Sequence, residues 1–465
     1  MLNVKKTPLL LAACFIAAAA WADDGQSPVV PPPAQGQFPP GIVHHAGTVV
    51  APVSDKADPG FAHTNYKIFV PQGHNMVFAA PENTFAEYPA SIGCVYGVGP
   101  TYAGCVPGGS SGHPTGGWGA IALVDAYHNP TARADLVYFD SYFGLPTANF
   151  TQVQANTSFG TLGGLTASCS GFPANANAKG WGLEESLDVQ WAHVMAPAAK
   201  IILVEACSNS FTDLLFAEEV AGIYVQSYGG GDISNSWGGG ESSSQLGSTG
   251  YDNYFYRYYP YNITYFASAG DSGSEVIYPS SSPWVVSAGG TTINRDANGN
   301  FLSESCWADS GGGFSTVETW VSAPNDQTGL SPATDYQYVL YGGITYANPF
   351  RSTPDMSFDS DPDSGVWVYD SYYGGFVVVG GTSVASPALA GLVNSSNNRL
   401  GQAGPGGDGG WFTPGENNLL YAQLGSAKNY PDNFYDVTTG SNGHSAVTGY
   451  DQCTGVGSPR TKAGK

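Results

Sequence analysis

The chain reads as an α/β protein: a doubly wound, mostly parallel sheet with helices on both faces. Short apolar runs rich in β-branched residues alternate with stretches of helical spacing, and a strand, a helix and a second strand in that order close as a parallel pair through a right-handed crossover. Carboxylates and a serine stand where several of these runs end, which is where reactive groups gather in such sheets.

Residues 1–22 carry Lys5 and Lys6, then the apolar run from Leu9 to Ala20, then Ala20-Trp21-Ala22 before Asp23-Asp24. That is the pattern of a secretory signal with a small-residue cleavage site, and the apolar run is too short to span a membrane. Residues 23–66 are rich in Pro, Gly and small polar residues, as in Pro31-Pro32-Pro33, and show no period of 2 or 3.6. An extended or disordered lead-in is expected there. Residues 67–465 read as one globular unit without an internal repeat, long for a single domain but compatible with a large α/β fold. Within it, residues 119–125 predict a buried strand, 131–143 a helix, 182–193 a second helix, 200–205 a strand and 211–225 a third helix. Strands follow near 232–237, 263–268 and 284–287. The run Phe376-Val377-Val378-Val379 then leads through Gly380-Gly381-Thr382 to Ser383 and an alanine-rich helix, with Pro387 expected in its first turn.

A formal charge of −22 at pH 7 argues against nucleic acid or an anionic membrane as a partner. Only 11% of residues are charged, against roughly 25% in average proteins. The surface must therefore draw its polarity from Ser, Thr, Asn, Gly and Tyr, which keep their character when carboxylates protonate, so service in acid is compatible with the composition. Seven cysteines include Cys14 in the signal; the six others, Cys94, Cys105, Cys169, Cys207, Cys306 and Cys453, imply disulfides in an exported chain. Cys94 and Cys105 bracket a short Gly-Pro-rich loop and are expected to pair, while the other four are left open. No Cys-x-x-Cys pair is present, which disfavours thiolate metal binding.

At the turn from strand to helix, Ser383 would expose its hydroxyl beside unpaired backbone N–H groups and the positive end of a helix dipole, which suits a nucleophile whose attack creates an oxyanion. The same stretch also reads as an ordinary helix cap, since Thr and Ser favour caps. Glu184 and Asp188 are spaced i to i+4 on a predicted helix, so they share one face and repel; one should hold a proton more tightly, giving a base and an orienting acid. Glu185 is the rival base, and a solvated acidic helix start is the alternative. Asp271 follows the apolar run 263–268 in a small-residue loop, where it could donate to an oxyanion while protonated or serve as a turn aspartate. The histidines, His44, His45, His63, His74, His113, His128, His193 and His444, include none in a His-Gly-Thr setting at a helix start. A nucleophilic Ser383 would need a carboxylate as its base.

This combination resembles the sedolisins, or serine-carboxyl peptidases, a subtilisin-like family. The motifs run in order across about residues 90 to 460: Glu184-x-x-Leu187-Asp188, Ser234-Asn235-Ser236-Trp237-Gly238, Ser268-Ala269-Gly270-Asp271, Tyr278-Pro279-Ser280, Trp307 to Phe314, Pro354-Asp355, Asp361-Pro362-Asp363, and the serine segment. The resemblance implies Ser383 as nucleophile, Glu184 as general base, Asp188 as its orienting partner, and Asp271 completing an oxyanion hole with the Ser383 N–H. Asp125 and Trp237 stand where some relatives extend the acid network, and residues 234–239 would wall a cleft that pairs with an extended peptide. The family's calcium loop matches Asp436 and Asp451 as side-chain ligands and Val437, Val447 and Gly449 as carbonyl ligands, a hard oxygen set suited to one structural Ca2+.

The implied protein is a secreted, monomeric endopeptidase that acts in acid on protein or peptide substrates. A tripeptidyl exopeptidase of the same fold, or a secreted binding protein on a retired peptidase fold, are the alternatives. One departure stands out: the family carries a long folded propeptide, whereas here only an unpatterned segment precedes the globular sequence.

Overall fold

The computed structural model of the chain describes residues 41–465 apart from 57, 83–85, 172, 248, 257–261, 320–349, 397–412, 425, 427 and 464. The expected signal and the first part of the lead-in lie outside the described residues. Among those described, no helix is long and apolar enough to cross a membrane.

An eight-stranded sheet organises the molecule. Its path runs Phe301–Cys306, Val286–Arg295, Ile263–Ser268, Gly231–Asn235, Ala120–Ala126, Lys200–Ala206 and Asn149–Ala155, with Met356–Asp359 pairing to Val286–Arg295. Every pairing is parallel except that of Phe301–Cys306. The alternation of side chains explains the two layers of helices. Ile121 and Leu123 join one core, whereas Ala120, Ala122 and Val124 join another, because successive side chains of a strand point to opposite faces. Helices Gly182–Met195 and Thr382–Asn394 pack on each other and on one face, and Phe211–Ser227 covers the other. The fold class is the expected one. Strand 263–268 forms where it was expected, while the strand expected at 284–287 forms at Val286–Arg295, because Trp284 and Val285 close a turn after Ser282.

The helix Gly182–Met195 is buried on all sides, since it lies between the sheet, the helix Thr382–Asn394 and the strand Val366–Asp370. Glu184, Glu185 and Asp188 are therefore fully enclosed, which rules out the solvated acidic helix start.

Two expectations need correction. The described part of the lead-in is extended, but it is neither free nor unpatterned in its pairing. Gly47–Val50 adds to Lys67–Pro71, which pairs in turn with Gly375–Gly380, so the segment completes a four-stranded antiparallel sheet with Val366–Asp370. His63–Thr64 adds to Trp237–Gly240. Backbone hydrogen bonds hold these residues, and backbone pairing leaves no trace in side-chain periodicity. Pro387, expected in the first turn of its helix, lies further in, because the helix begins at Thr382. All six cysteines outside the expected signal are paired: Cys94 with Cys105 as expected, Cys169 with Cys207, and Cys306 with Cys453.

Candidate active site

Gly381 is the N-cap of the helix Thr382–Asn394, with φ +102°, and a side chain there would collide with the Asn65 carbonyl oxygen and Asp271 Oδ2. Glycine is required at such a position on both counts. Thr382 and Ser383 therefore sit inside the first turn, so neither is the cap. Their amides remain available to bind something else, as the first N–H groups of a helix must. The Thr382 N–H donates to Asp271 Oδ1 (2.8 Å), as does the Thr382 hydroxyl (2.8 Å). The Ser383 N–H donates to the carbonyl of Asn65 (2.9 Å).

Asp271 follows the strand Ile263–Ser268, so the sheet delivers its carboxyl to the start of the serine helix. Its second oxygen, Oδ2, is buried without a partner. Burial pushes this carboxyl up to about 8, against the pull of the Lys67 ammonium. A carboxyl that stays protonated can donate its proton to an oxygen bearing developing charge.

On the other side of Ser383 lie the carboxyls of the helix Gly182–Met195. Asp188 Oδ1 accepts from the Ser236 hydroxyl (2.8 Å), and Ser236 also donates to the Ser383 carbonyl (3.3 Å). Burial drives Glu184 well above the usual carboxylate range, with Asp188 and Asp125 adding to it and the Ser383 hydroxyl pulling it back. Asp188 is raised by burial and by Asp125, and lowered by Ser236 and Glu184. Asp125 reaches about 8, first through burial and then through Glu205. Three buried carboxyls with no cation among them cannot all ionise, so they share protons. The Ser383 hydroxyl itself donates to the Ser236 carbonyl (3.2 Å), and neither Glu184 oxygen closes a hydrogen bond.

No family model matches the chain. Kumamolisin of Bacillus sp. (strain MN-32) is 31% identical over 302 residues, 59% of this chain and 49% of its own length. Sedolisin of Pseudomonas sp. (strain 101) is 30% identical over 221 residues, 43% of this chain and 30% of its own. Tripeptidyl-peptidase 1 of Dictyostelium discoideum is 28% identical over 306 residues, 60% of this chain and 46% of its own. Among solved structures, Pseudomonas sedolisin, described as a serine-carboxyl proteinase, has the same fold with a TM-score of 0.60 and 23% identity, covering 82% of this chain and 96% of that one. The chain is similar in sequence to the sedolisins and shares their fold. It spans about half or less of the length of these curated relatives.

The structure brings Ser383, Glu184, Asp188 and Asp271 to one buried place and takes Glu185 elsewhere. Glu185 is raised by burial and by the Glu205 and Asp125 carboxyls. The Trp237 indole N–H goes to the Val124 carbonyl (2.9 Å) rather than to an acid, and ties the cleft strand to the strand that carries Asp125.

Sequence reasoning missed Glu205, Ser236 and Asn65. Glu205 was legible in principle, because residues 119–125 and 200–205 both read as strands ending in a carboxylate, and their register does set Asp125 beside Glu205. Glu205 also accepts from the His128 ring (2.9 Å), the Asn129 N–H (3.0 Å), Gln152 (2.6 Å) and Gln154 (3.1 Å). Asn65 had no signal, since its part is played by its backbone.

The expected calcium residues lie apart from these carboxyls. The Gly449 N–H donates to Asp436 Oδ1 (2.9 Å), the Val447 N–H to Asp451 Oδ2 (2.8 Å), and the Cys453 N–H to Asp451 Oδ1 (2.9 Å). One loop thus wraps both carboxylates, and the Tyr430 hydroxyl beside them is raised first by burial and then by Asp436 and Asp451. Among the described residues no three His, Cys, Asp or Glu side chains form a metal cluster. An ion here would have to draw on backbone carbonyls, which is the donor set expected from Val437, Val447 and Gly449 and a fit to a hard cation.

Proposed function

We propose that this protein is a secreted serine-carboxyl peptidase that works in acid, cleaving proteins internally through an acyl-enzyme on Ser383. The observation that carries the reading is the juxtaposition of Ser383 with a buried carboxyl pair, Glu184 and Asp188, on one side and a buried, proton-holding Asp271 on the other.

In this reading ionised Glu184 takes the Ser383 proton as Oγ attacks the substrate carbonyl, and Asp188 shares the proton load. The Ser383 N–H and the Asp271 proton stabilise the oxyanion. Glu184 then returns its proton to the departing amine, and water repeats the sequence on the ester. Activity needs Glu184 ionised and Asp271 protonated, so both limbs of the pH profile are carboxyl titrations. Burial is the largest cause of every shift in the site; hydration of an open cleft moves both limbs down towards the ordinary range, giving activity near pH ~3–5. Digestion of a denatured protein across pH by wild type and by Ser383→Ala tests this. Loss in the variant is expected, and equal activity would sink the mechanism.

A second reading, removal of tripeptides from N-termini, draws support from the match to a tripeptidyl-peptidase. Product masses from a defined peptide distinguish them: internal fragments favour the endopeptidase, successive tripeptides the exopeptidase.

We also propose that Asp436 and Asp451, with the carbonyls of Val437, Val447 and Gly449, hold one Ca2+. The ion would supply charge neutralisation and cross-linking of the loop, with no part in the chemistry. Chelation should lower the melting temperature in wild type but not in Asp451→Ala; an unchanged wild type would remove the site. A monomer acting on extended peptides completes the reading.

A further inference from the structure

Asp125, Glu205 and Gln154 stand side by side, because the strands Ala120–Ala126, Lys200–Ala206 and Asn149–Ala155 run parallel and in register. By the alternation of side chains they share the face of Ile121, Leu203 and Phe150, against which the helix Gly182–Met195 packs. Asp125 and Glu205 from the sheet thus meet Glu184, Glu185 and Asp188 from the helix, and all five are fully buried.

Hydrogen-bond donors are divided unequally among these acids. Glu205 Oε1 accepts from the His128 ring (2.9 Å), the Asn129 N–H (3.0 Å) and the Gln152 amide (2.6 Å). Its Oε2 accepts from the His128 ring (2.9 Å) and the Gln154 amide (3.1 Å). Neither oxygen of Asp125 closes a hydrogen bond. An ionised carboxylate only accepts, and one held by several donors keeps its charge. The geometry therefore puts a charge on Glu205 and a proton on Asp125, which has no donor to hold a charge and has Glu205 beside it. Among the described residues the titratable groups that face Glu205 are Asp125 from the neighbouring strand, Glu185 from the helix and His128 from the loop after Ala126. His128 is 19% exposed and joins the cluster to solvent. Burial comes first in raising each buried acid; Glu205 comes next for Asp125 and Glu185, and Asp125 adds to the rise of Glu184 and Asp188.

We propose that Glu205 is a positioning residue for the acid chemistry: a buried, donor-held carboxylate that keeps a proton on Asp125 and so leaves the negative charge of the site to Glu184 and Asp188. The proposal rests on the peptidase reading above. Three carboxyls that share protons carry a single charge where donors and neighbours favour it. Ser236 favours it on Asp188 and the Ser383 hydroxyl favours it on Glu184, whereas Glu205 disfavours it on Asp125. Without the Glu205 charge, Asp125 takes part of the site's charge for itself. That charge repels a second one on the pair, so Glu184 becomes a base only at higher pH. Glu205 touches neither Ser383 nor a substrate and acts through Asp125 alone.

The test records kcat/KM against pH for wild type, Glu205→Gln, Asp125→Asn and the double variant. Glu205→Gln should move the acid limb up by about one pH unit, the order of effect of one close like charge. Asp125→Asn, neutral as Asp125 is held in wild type, should leave that limb in place and, added to Glu205→Gln, should bring it back. The alkaline limb assigned to Asp271 should stay where it is in all four. A loss of packing would lower activity at every pH and would not be repaired by a second substitution. Should melting curves show that Glu205→Gln does not fold, Gln154→Leu takes its place: it removes one donor to Glu205 from a half-buried position and should move the acid limb the same way by less, again restored by Asp125→Asn. An acid limb that is unmoved or lowered, or that Asp125→Asn does not restore, overturns this inference and leaves the peptidase reading standing. Wild type without hydrolysis at any pH overturns both.

Discussion

Glu184 and Glu185 are neighbours in sequence whose surroundings separate them. A helix turns successive residues by about 100°, so Glu184 faces Ser383 and Asp188 while Glu185 faces Glu205. Glu184→Gln should cost roughly 10²–10⁴-fold in kcat, the worth of a positioned base, whereas Glu185→Gln should stay within a few-fold; assays of the two side by side would expose the opposite order. Asp271 gives a sharper prediction. Asp271→Asn retains a donor that never ionises, so its activity should persist at reduced level and lose the alkaline limb that wild type shows. Asp271→Ala should cost about 10²–10³-fold at every pH, as loss of an oxyanion donor does. An alkaline limb that survives in Asp271→Asn would mean that another group titrates there. The i to i+4 spacing of Glu184 and Asp188 was readable from the chain alone. The choice between Glu184 and Glu185 came from the resemblance, and their separate surroundings became visible only once the helix was docked.

At the scale of elements, the strand ending at Ser268 and the helix beginning at Thr382 converge because the sheet is parallel, which sends strand ends and helix starts to one edge. That much was legible from apolar runs and their order. The start of the serine helix was less so. Pro387 lacks an N–H, so the carbonyl four residues earlier, that of Ser383, loses its helical partner. The Ser236 hydroxyl reaches that carbonyl and also holds Asp188. One hydroxyl from the cleft strand thus joins the nucleophile's helix to the carboxyl helix. Ser236→Ala should destabilise the fold by roughly 1–3 kcal/mol and shift the acid limb of the pH profile, because Asp188 loses a donor that favours its charged form; denaturant midpoints together with kcat/KM against pH would show both, and an unmoved limb would reduce Ser236 to packing. The pairing of His63–Thr64 with Trp237–Gly240 could not be read from the chain, because backbone hydrogen bonds ask nothing of side-chain type.

Across the whole molecule, buried carboxyls are a recurring feature. Burial pushes Asp252 to about 6, Asp125 and Asp271 to about 8 and Glu318 to about 9. Each binds its proton more tightly in the folded chain than in the unfolded one, so folding takes up protons as pH rises. Stability is complete below the unfolded carboxyl range of ~4 and is lost as pH climbs through the folded values. The melting temperature should therefore fall steadily between about pH 5 and 9. A curve flat over that range would mean that these groups are ionised in the folded state. Disulfides oppose unfolding at every pH, and the bridge from Cys306 to Cys453 spans 147 residues, so its loss should cost the most, about 5 kcal/mol on loop entropy. The low content of charged residues and the even set of cysteines are compatible with an exported protein that works in acid, but composition names no reaction; the ordered carboxylate and serine motifs do.

The central claim is that Ser383, with a carboxyl base, carries the acyl group. It is tested most directly by quenching the wild-type chain in strong acid during turnover of a peptide ester at pH ~4 and mapping its peptides by mass. The predicted result is the acyl mass on the peptide that contains Ser383, and its disappearance on dilution into fresh buffer. Hydrolysis that proceeds with no acyl mass on that peptide, or with the mass on another residue, would contradict it.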